Sequence, residues 1–126
     1  MRVVLDTSVL IEGLADPVDA EFAISTISLA ELHFGVLMAK TPELRVGRLR
    51  RLASIERAFE ALPVTDAIAR TYGGIAATVA AAGRQPRARS FDLVIAATAA
   101  THDAALYTRN PKDFAHLQDF VDVVAV

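Results

Sequence analysis

Cysteine is absent from the 126 residues. Its absence removes thiol catalysis and cysteine-type zinc sites from consideration, and it fits a reducing compartment. No apolar run reaches the length of a membrane span, and Arg2 is followed at once by a strand-like run that stops at Asp6, which leaves no secretory core. A soluble, cytoplasmic chain with no membrane role is therefore expected. Also missing are a Gly-x-x-x-x-Gly-Lys phosphate loop and any Ser, His and Asp arrangement that forms a nucleophile elbow. The histidines, His33, His102 and His116, are scattered and read as surface or helix-end residues. With no linker, repeat or low-complexity tract, residues 1–126 read as a single domain, long enough to bury a core without disulfide or metal staples.

What is present is apolar. The hydrophobic fraction is 53%, high for a small soluble domain, which implies that another chain covers part of the surface, in a homodimer or with a dedicated partner. The formal net charge of −2 argues against broad electrostatic binding to nucleic acid, so any such binding must rest on local clusters.

Val3-Val4-Leu5 is a short apolar run without alternation, the pattern of a central strand of a parallel sheet covered on both faces. Asp6 ends it, and Thr7 and Ser8 can cap a helix through Leu14. Asp16-Pro17 breaks the pattern, and Asp19 to Phe22 suggests a helical turn. Ala23 to Ile27 reads as a second strand, and Ser28-x-x-Glu31 matches a capping box opening a helix through Met38. Thr41-Pro42 caps a long helix to Phe59, whose outer face carries Arg45, Arg48, Arg51 and Arg57 and reads as solvated. Leu62 to Thr65 suggests a short strand, with Asp66 capping a helix from Ala67 to Ala82. Gly73-Gly74 weakens that helix, so a close packing contact is expected to compensate. Gly83 to Arg89 is a basic loop. Ser90 then caps a helix to about His102-Asp103, followed by a strand over Ala104–Thr108, a capped turn over Asn110–Phe114 and a terminal strand over Val121–Val126.

Strands alternating with helices imply a parallel sheet with helices on both faces. Four acids fall at equivalent places: Asp6 after the first strand, Glu31 and Asp92 at helix starts, and Asp113 after the Ala104–Thr108 strand. Each has a local explanation as a turn, capping or first-turn acid. Strand ends and the helix starts that follow them share one edge of such a sheet, so the four can also converge. Asp92 must reach that edge from the helix preceding its strand. Converging carboxylates repel one another unless they share protons or bind a cation, and oxygen ligands favour Mg2+ or Mn2+.

Leu5-Asp6-Thr7-Ser8-Val9-Leu10, the Ser28-x-x-Glu31 helix start, Asp92-Leu93-Val94-Ile95-Ala96-Ala97-Thr98-Ala99 and Thr108-Arg109-Asn110-Pro111-Lys112-Asp113-Phe114 together resemble a PIN-domain ribonuclease, more narrowly the VapC-type toxins of bacterial toxin-antitoxin pairs. The resemblance spans the chain and is most specific from Gly83 to Phe114. It implies a PIN-like three-layer α/β/α fold with a parallel sheet of about five strands, and a Mg2+- or Mn2+-dependent endoribonuclease that cleaves RNA with a metal-activated water. By the resemblance Asp6, Glu31 and Asp92 are the metal-binding acids. Asn110 or Asp113 completes the site, with Thr7 and Ser8 as auxiliary residues, and one or two ions can bind. A cognate antitoxin and a homodimer are implied partners. Arg84, Arg87 and Arg89 lead into the site and are candidate RNA contacts, or an ordinary solvated loop.

Other classes fit less well. An aspartyl-phosphate hydrolase calls for a second Asp two residues after the first, where Ser8 stands. A receiver-like signalling domain calls for a lysine at a strand end, and of Lys40 and Lys112 only the latter is near one. A non-enzymatic binding module would neither bind divalent metal nor cut RNA.

Overall fold

The computed structural model describes residues 1–126. Five strands, β1 (Arg2–Leu5), β2 (Glu21–Ser25), β3 (Glu60–Leu62), β4 (Ala105–Thr108) and β5 (Val123–Ala125), form one sheet in the order β3-β2-β1-β4-β5. Every neighbouring pair is parallel. The helices are α1 (Thr7–Glu12), α2 (Thr26–Leu37), α3 (Pro42–Ala58), α4 (Asp66–Ala81) and α5 (Ser90–Thr101), with short 3₁₀ turns at Pro86–Arg89 and Pro111–Phe114.

β1 lies at the centre, which explains its unbroken apolar run. Val3 and Leu5 pack to one side with Ile24, Tyr107 and residues of α1, α2 and α3. Val4 packs to the other with Leu106 and residues of α4 and α5. The three-layer α/β/α arrangement implied by the sequence is the one observed. Strand order reverses between β1 and β4, so Asp6 and Thr108 meet at the topological switch point, where parallel sheets open a crevice.

Several boundaries differ from the sequence reading. β2 begins at Glu21, paired with Arg2, so Asp19 to Phe22 forms no helical turn. It ends at Ser25, whose side chain accepts from the Ile27 amide at 3.1 Å and caps α2. Ser28 is therefore buried inside the helix, and Ser28-x-x-Glu31 is not a capping box. Asp6, not Thr7 or Ser8, caps α1. β3 stops at Leu62 because Pro63 has no N–H to donate, and Thr65 rather than Asp66 caps α4, its hydroxyl accepting from the Ile68 amide. Ser90 is the first residue of α5 and gives no cap. That helix stops at Thr101, because Asp103 turns left-handed (φ 53°) and the Ala104 amide closes on the Ala99 carbonyl. The terminal strand is only Val123–Ala125.

Two local devices fix elements near the site. α4 ends in a Schellman motif: Gly83 takes φ 80°, its N–H reaches the Ala80 carbonyl, and the Arg84 N–H reaches that of Val79. The chain is thereby turned into the 3₁₀ segment that leads to α5. On α3, Arg48 donates to the Gly35 carbonyl at 2.7 Å and Arg45 to that of Leu37, satisfying carbonyls left open at the end of α2. These two arginines thus do more than solvate a helix face.

The expected compensation at Gly73-Gly74 is absent at the first position. A Cβ at Gly73 would meet nothing within 4 Å, and one at Gly74 would make ordinary contact with the Phe120 ring at 3.4 Å. Gly73→Ala is therefore expected to stabilise the protein by about 0.5 to 1 kcal/mol through helix propensity alone. Urea unfolding checks this, and an unchanged or lower midpoint would show that Gly73 is needed for a contact with another chain.

Candidate active site

Asp6 is 4% exposed, and its carboxylate is held from three directions. The Thr7 amide donates to Oδ1 at 2.8 Å, and the Ser8 and Thr108 hydroxyls each donate to Oδ2 at 2.8 Å. Its own amide bonds the Tyr107 carbonyl, which ties the end of β1 to β4. The Thr7 hydroxyl lies 2.7 Å from Glu31 Oε1 and 2.9 Å from Ser28 Oγ. A hydroxyl has one proton to give; with the carboxylate taking it, Thr7 accepts in turn from Ser28. Ser28 thus orients the group that orients Glu31. No buried side-chain polar atom lacks a partner.

Burial raises the pKa of Glu31, opposed by the Thr7 hydrogen bond and reinforced by the charge of Asp6. Asp92 is pushed up to about 6, first by burial and then by the charges of Asp6, Asp113 and Glu31, with Arg89 opposing. The Asp92 carboxylate therefore feels all three other acids. The helix that carries it precedes β4 and delivers its first turn to the strand-end edge. Asp113, on the 3₁₀ turn after β4, faces the same space. Asn110 takes part through its backbone N–H, which bonds the Thr108 hydroxyl at 2.9 Å.

Arg89 stands among these acids. Its guanidinium is hydrogen-bonded to Asp113 and lies 3.8 Å from Asp92 Oδ2, so the chain supplies its own cation to the cluster. Arg84 donates to the Lys112 carbonyl, while the exposed Arg87 makes no ion pair. No three acidic or histidine side chains are closed on a common point as a bound cation would require. The donor chemistry nevertheless fits one: all the groups are hard oxygen ligands whose mutual repulsion a divalent ion would relieve, and Asp113 and Asp92 would exchange Arg89 for it.

Glu31 lines two cavities. One, of about 610 Å3, runs between α1, α2 and α3 and includes Ile11, Leu44, Arg48 and Arg51. The other, about 340 Å3, is walled by the segment from Arg87 to Asp92. A third lies at the opposite edge of the sheet around Arg2, Glu21 and His102, away from the four acids. His33 pairs with Glu56 on the surface, and none of the histidines reaches the site.

A PIN-domain profile matches residues 3–119. The chain belongs to the PIN-domain family. Among curated relatives, this PIN domain is 38% identical to ribonuclease VapC5 of Mycobacterium tuberculosis over 95% of its length and 90% of the relative's. It is 33% identical to ribonuclease VapC4 of the same organism, over 99% and 97%. Among solved structures it matches the VapBC-5 toxin-antitoxin crystal structure from M. tuberculosis with a TM-score of 0.87 at 38% identity, covering 99% of this chain and 98% of that one. It matches FitAcB from Neisseria gonorrhoeae with a TM-score of 0.78 at 27% identity, covering 96% and 95%. The PIN-like fold implied by the sequence is thus the fold of the chain.

Sequence reasoning missed Thr108 and Ser28 as supporting residues. Thr108 offered only a hydroxyl at a strand end, since the adjacency of β4 to β1 follows from strand order. Ser28 offered no signal, because its side chain acquires a partner only when α1 and α2 meet.

The raised pKa of Asp92 has a consequence for metal-free stability. A carboxyl that binds its proton more tightly when folded stabilises the protein fully below its unfolded value near 3.8, and that stabilisation is lost as pH rises through about 6. Asp92→Asn should therefore match wild type below about pH 4 and exceed it increasingly up to pH 7, by on the order of 1 kcal/mol after allowance for solvent screening. Thermal melts in chelator across that range check the difference. A variant no more stable than wild type at neutral pH contradicts the electrostatic account.

Proposed function

We propose that the chain, with residues 1–126 acting as one domain, is a divalent-cation-dependent endoribonuclease and the toxin of a type II toxin-antitoxin pair, working in the cytoplasm. The carrying observation is the group of four mutually repelling carboxylates at the switch point of a PIN domain 38% identical to a ribonuclease. Asp6, Glu31 and Asp92 would hold Mg2+ or Mn2+, with Asp113 completing the acid set. A cation held there would supply an acidified water for in-line attack on a phosphodiester and would offset charge on the phosphoryl oxygens, which leads to 5′-phosphate and 3′-hydroxyl ends.

The chain's own residues prepare the site. Asp6 cannot swing away, because three donors fix both of its oxygens. Thr7 holds Oε1 of Glu31 and leaves Oε2 open to a ligand or a proton. Arg89 pairs with Asp113 and Asp92, and would be freed for a substrate phosphate if those acids held a cation. Ser8 sits two residues after Asp6 and donates to it, the opposite of what an aspartyl-phosphate hydrolase needs there.

The antitoxin and a second copy of the chain are the proposed partners for the apolar surface. Phe34 and Leu37 of α2, Met38 at its end, and Leu44 and Leu49 of α3 are about half or more exposed, and Leu44 lines the larger cavity. The VapBC-5 structure named above is of a member of a toxin-antitoxin family.

In total RNA with Mg2+ or Mn2+, Asp6→Asn, Glu31→Gln and Asp92→Asn are each expected to lower cleavage by about 100-fold or more with the fold intact by circular dichroism. Sequencing of cleavage ends reads the result. A Glu31→Gln protein that cuts as fast as wild type, or cutting that persists in chelator, contradicts the assignment. Light scattering should return twice the 13.5 kDa of one chain, and co-expressed antitoxin should suppress cleavage. A monomer at all concentrations would remove the dimer.

A further inference from the structure

We propose that Phe91 is a stacking platform for a base of single-stranded RNA beside the acid site, with Arg87 holding the adjoining phosphate. The inference rests on the ribonuclease reading and adds to it where the strand lies and what grips it.

Phe91 is 51% exposed although its neighbour Leu93 is fully buried in the core. It occupies the second position of α5, one residue before Asp92, and faces the cavity shared by Glu31, Asp92, Arg87 and Arg89. At about 340 Å3 that cavity lies at the small end of ligand sites, suited to a nucleotide unit and not to a helix. An aromatic face between two arginines and two metal-site acids is not explained by packing, since the buried face of α5 is complete without it. The mounting is rigid. Pro86 opens the 3₁₀ turn, the Ser90 hydroxyl donates to the Arg87 carbonyl at 3.0 Å, and Gly83 locks the turn to α4.

The site's charge supplies the physical need. Four carboxylates repel a phosphodiester backbone, and with Arg89 held by Asp113 and Asp92 in the metal-free chain, Arg87 is the exposed arginine on this wall that makes no ion pair. Stacking on an aromatic ring adds affinity that does not depend on charge and tolerates any base. It requires a base free of its own helix, so it selects single strands or loops over duplex. Because Glu31 also lines the larger cavity with Arg48 and Arg51, a strand stacked on Phe91 can cross the acids and continue along α3.

The test uses the full chain carrying Glu31→Gln, which preserves the Thr7 contact, and a short unstructured RNA containing 2-aminopurine. Phe91→Ala should weaken binding about tenfold at every salt concentration and abolish the fluorescence quenching that stacking causes, while Phe91→Trp should keep both. Arg87→Ala should flatten the slope of log affinity against log salt by about 0.7. Phe91→Ala that binds and quenches like its parent overturns the platform while leaving the ribonuclease reading intact. A change in mass by light scattering that accounts for the lost affinity also overturns it, by assigning Phe91 to an interface between copies. If the parent binds no RNA and wild type cuts none, the ribonuclease reading falls and the platform with it.

Discussion

The Asp6 carboxylate is the fixed point of the molecule. It is almost wholly buried, and Thr7, Ser8 and Thr108 satisfy it there with a hydrogen bond each. Those three donors come from the first turn of α1 and the end of β4, so satisfying one acid also sets how the central helix and strand meet. The Thr7 hydroxyl then extends the same network to α2 through Glu31 and Ser28. Removing the network would leave a buried charge uncompensated, a far larger penalty than losing any surface ion pair.

Repulsion among the acids is the second constraint. Burial is the larger cause of the raised Glu31 and Asp92 pKa values, with neighbouring charges second, and Arg89 offsets only part of the effect at Asp92. The metal-free chain thus holds charge in an unfavourable place and relieves it with a single internal guanidinium. That arrangement costs stability where a purely structural protein would place apolar groups, which is the usual mark of a site built to bind something. On the proposed function, stability and activity would pull in opposite directions at Asp92.

The apolar surplus divides in the same spirit. Much of it is consumed by the two layers flanking the sheet, with alanines of α5 fully buried against the Val4 face. Most of the remainder sits on or next to α2 and α3, and the groove between those helices reaches Glu31. A chain that covered this groove would contact the acid site directly, so the proposed partner binding would also control the site.

By itself the sequence determined the alternation of elements, the doubly covered central strand and the acids standing at strand ends and helix starts. All of these are written in local periodicity and turn chemistry. Boundaries were less legible, because Ser25 and Ser28 are equally good caps on paper and only the pairing of Glu21 with Arg2 selects the first. For the same reason Glu31 reads locally as a capping residue, whereas α2 is capped three residues before Ser28, at Ser25. What only the tertiary structure decided was meeting: that Asp92 comes within reach of Asp6, Glu31 and Asp113, that Arg89 inserts between two of them, and that Thr108 completes the Asp6 shell. Those residues lie far apart along the chain, and their distances follow from strand order, which no local pattern encodes.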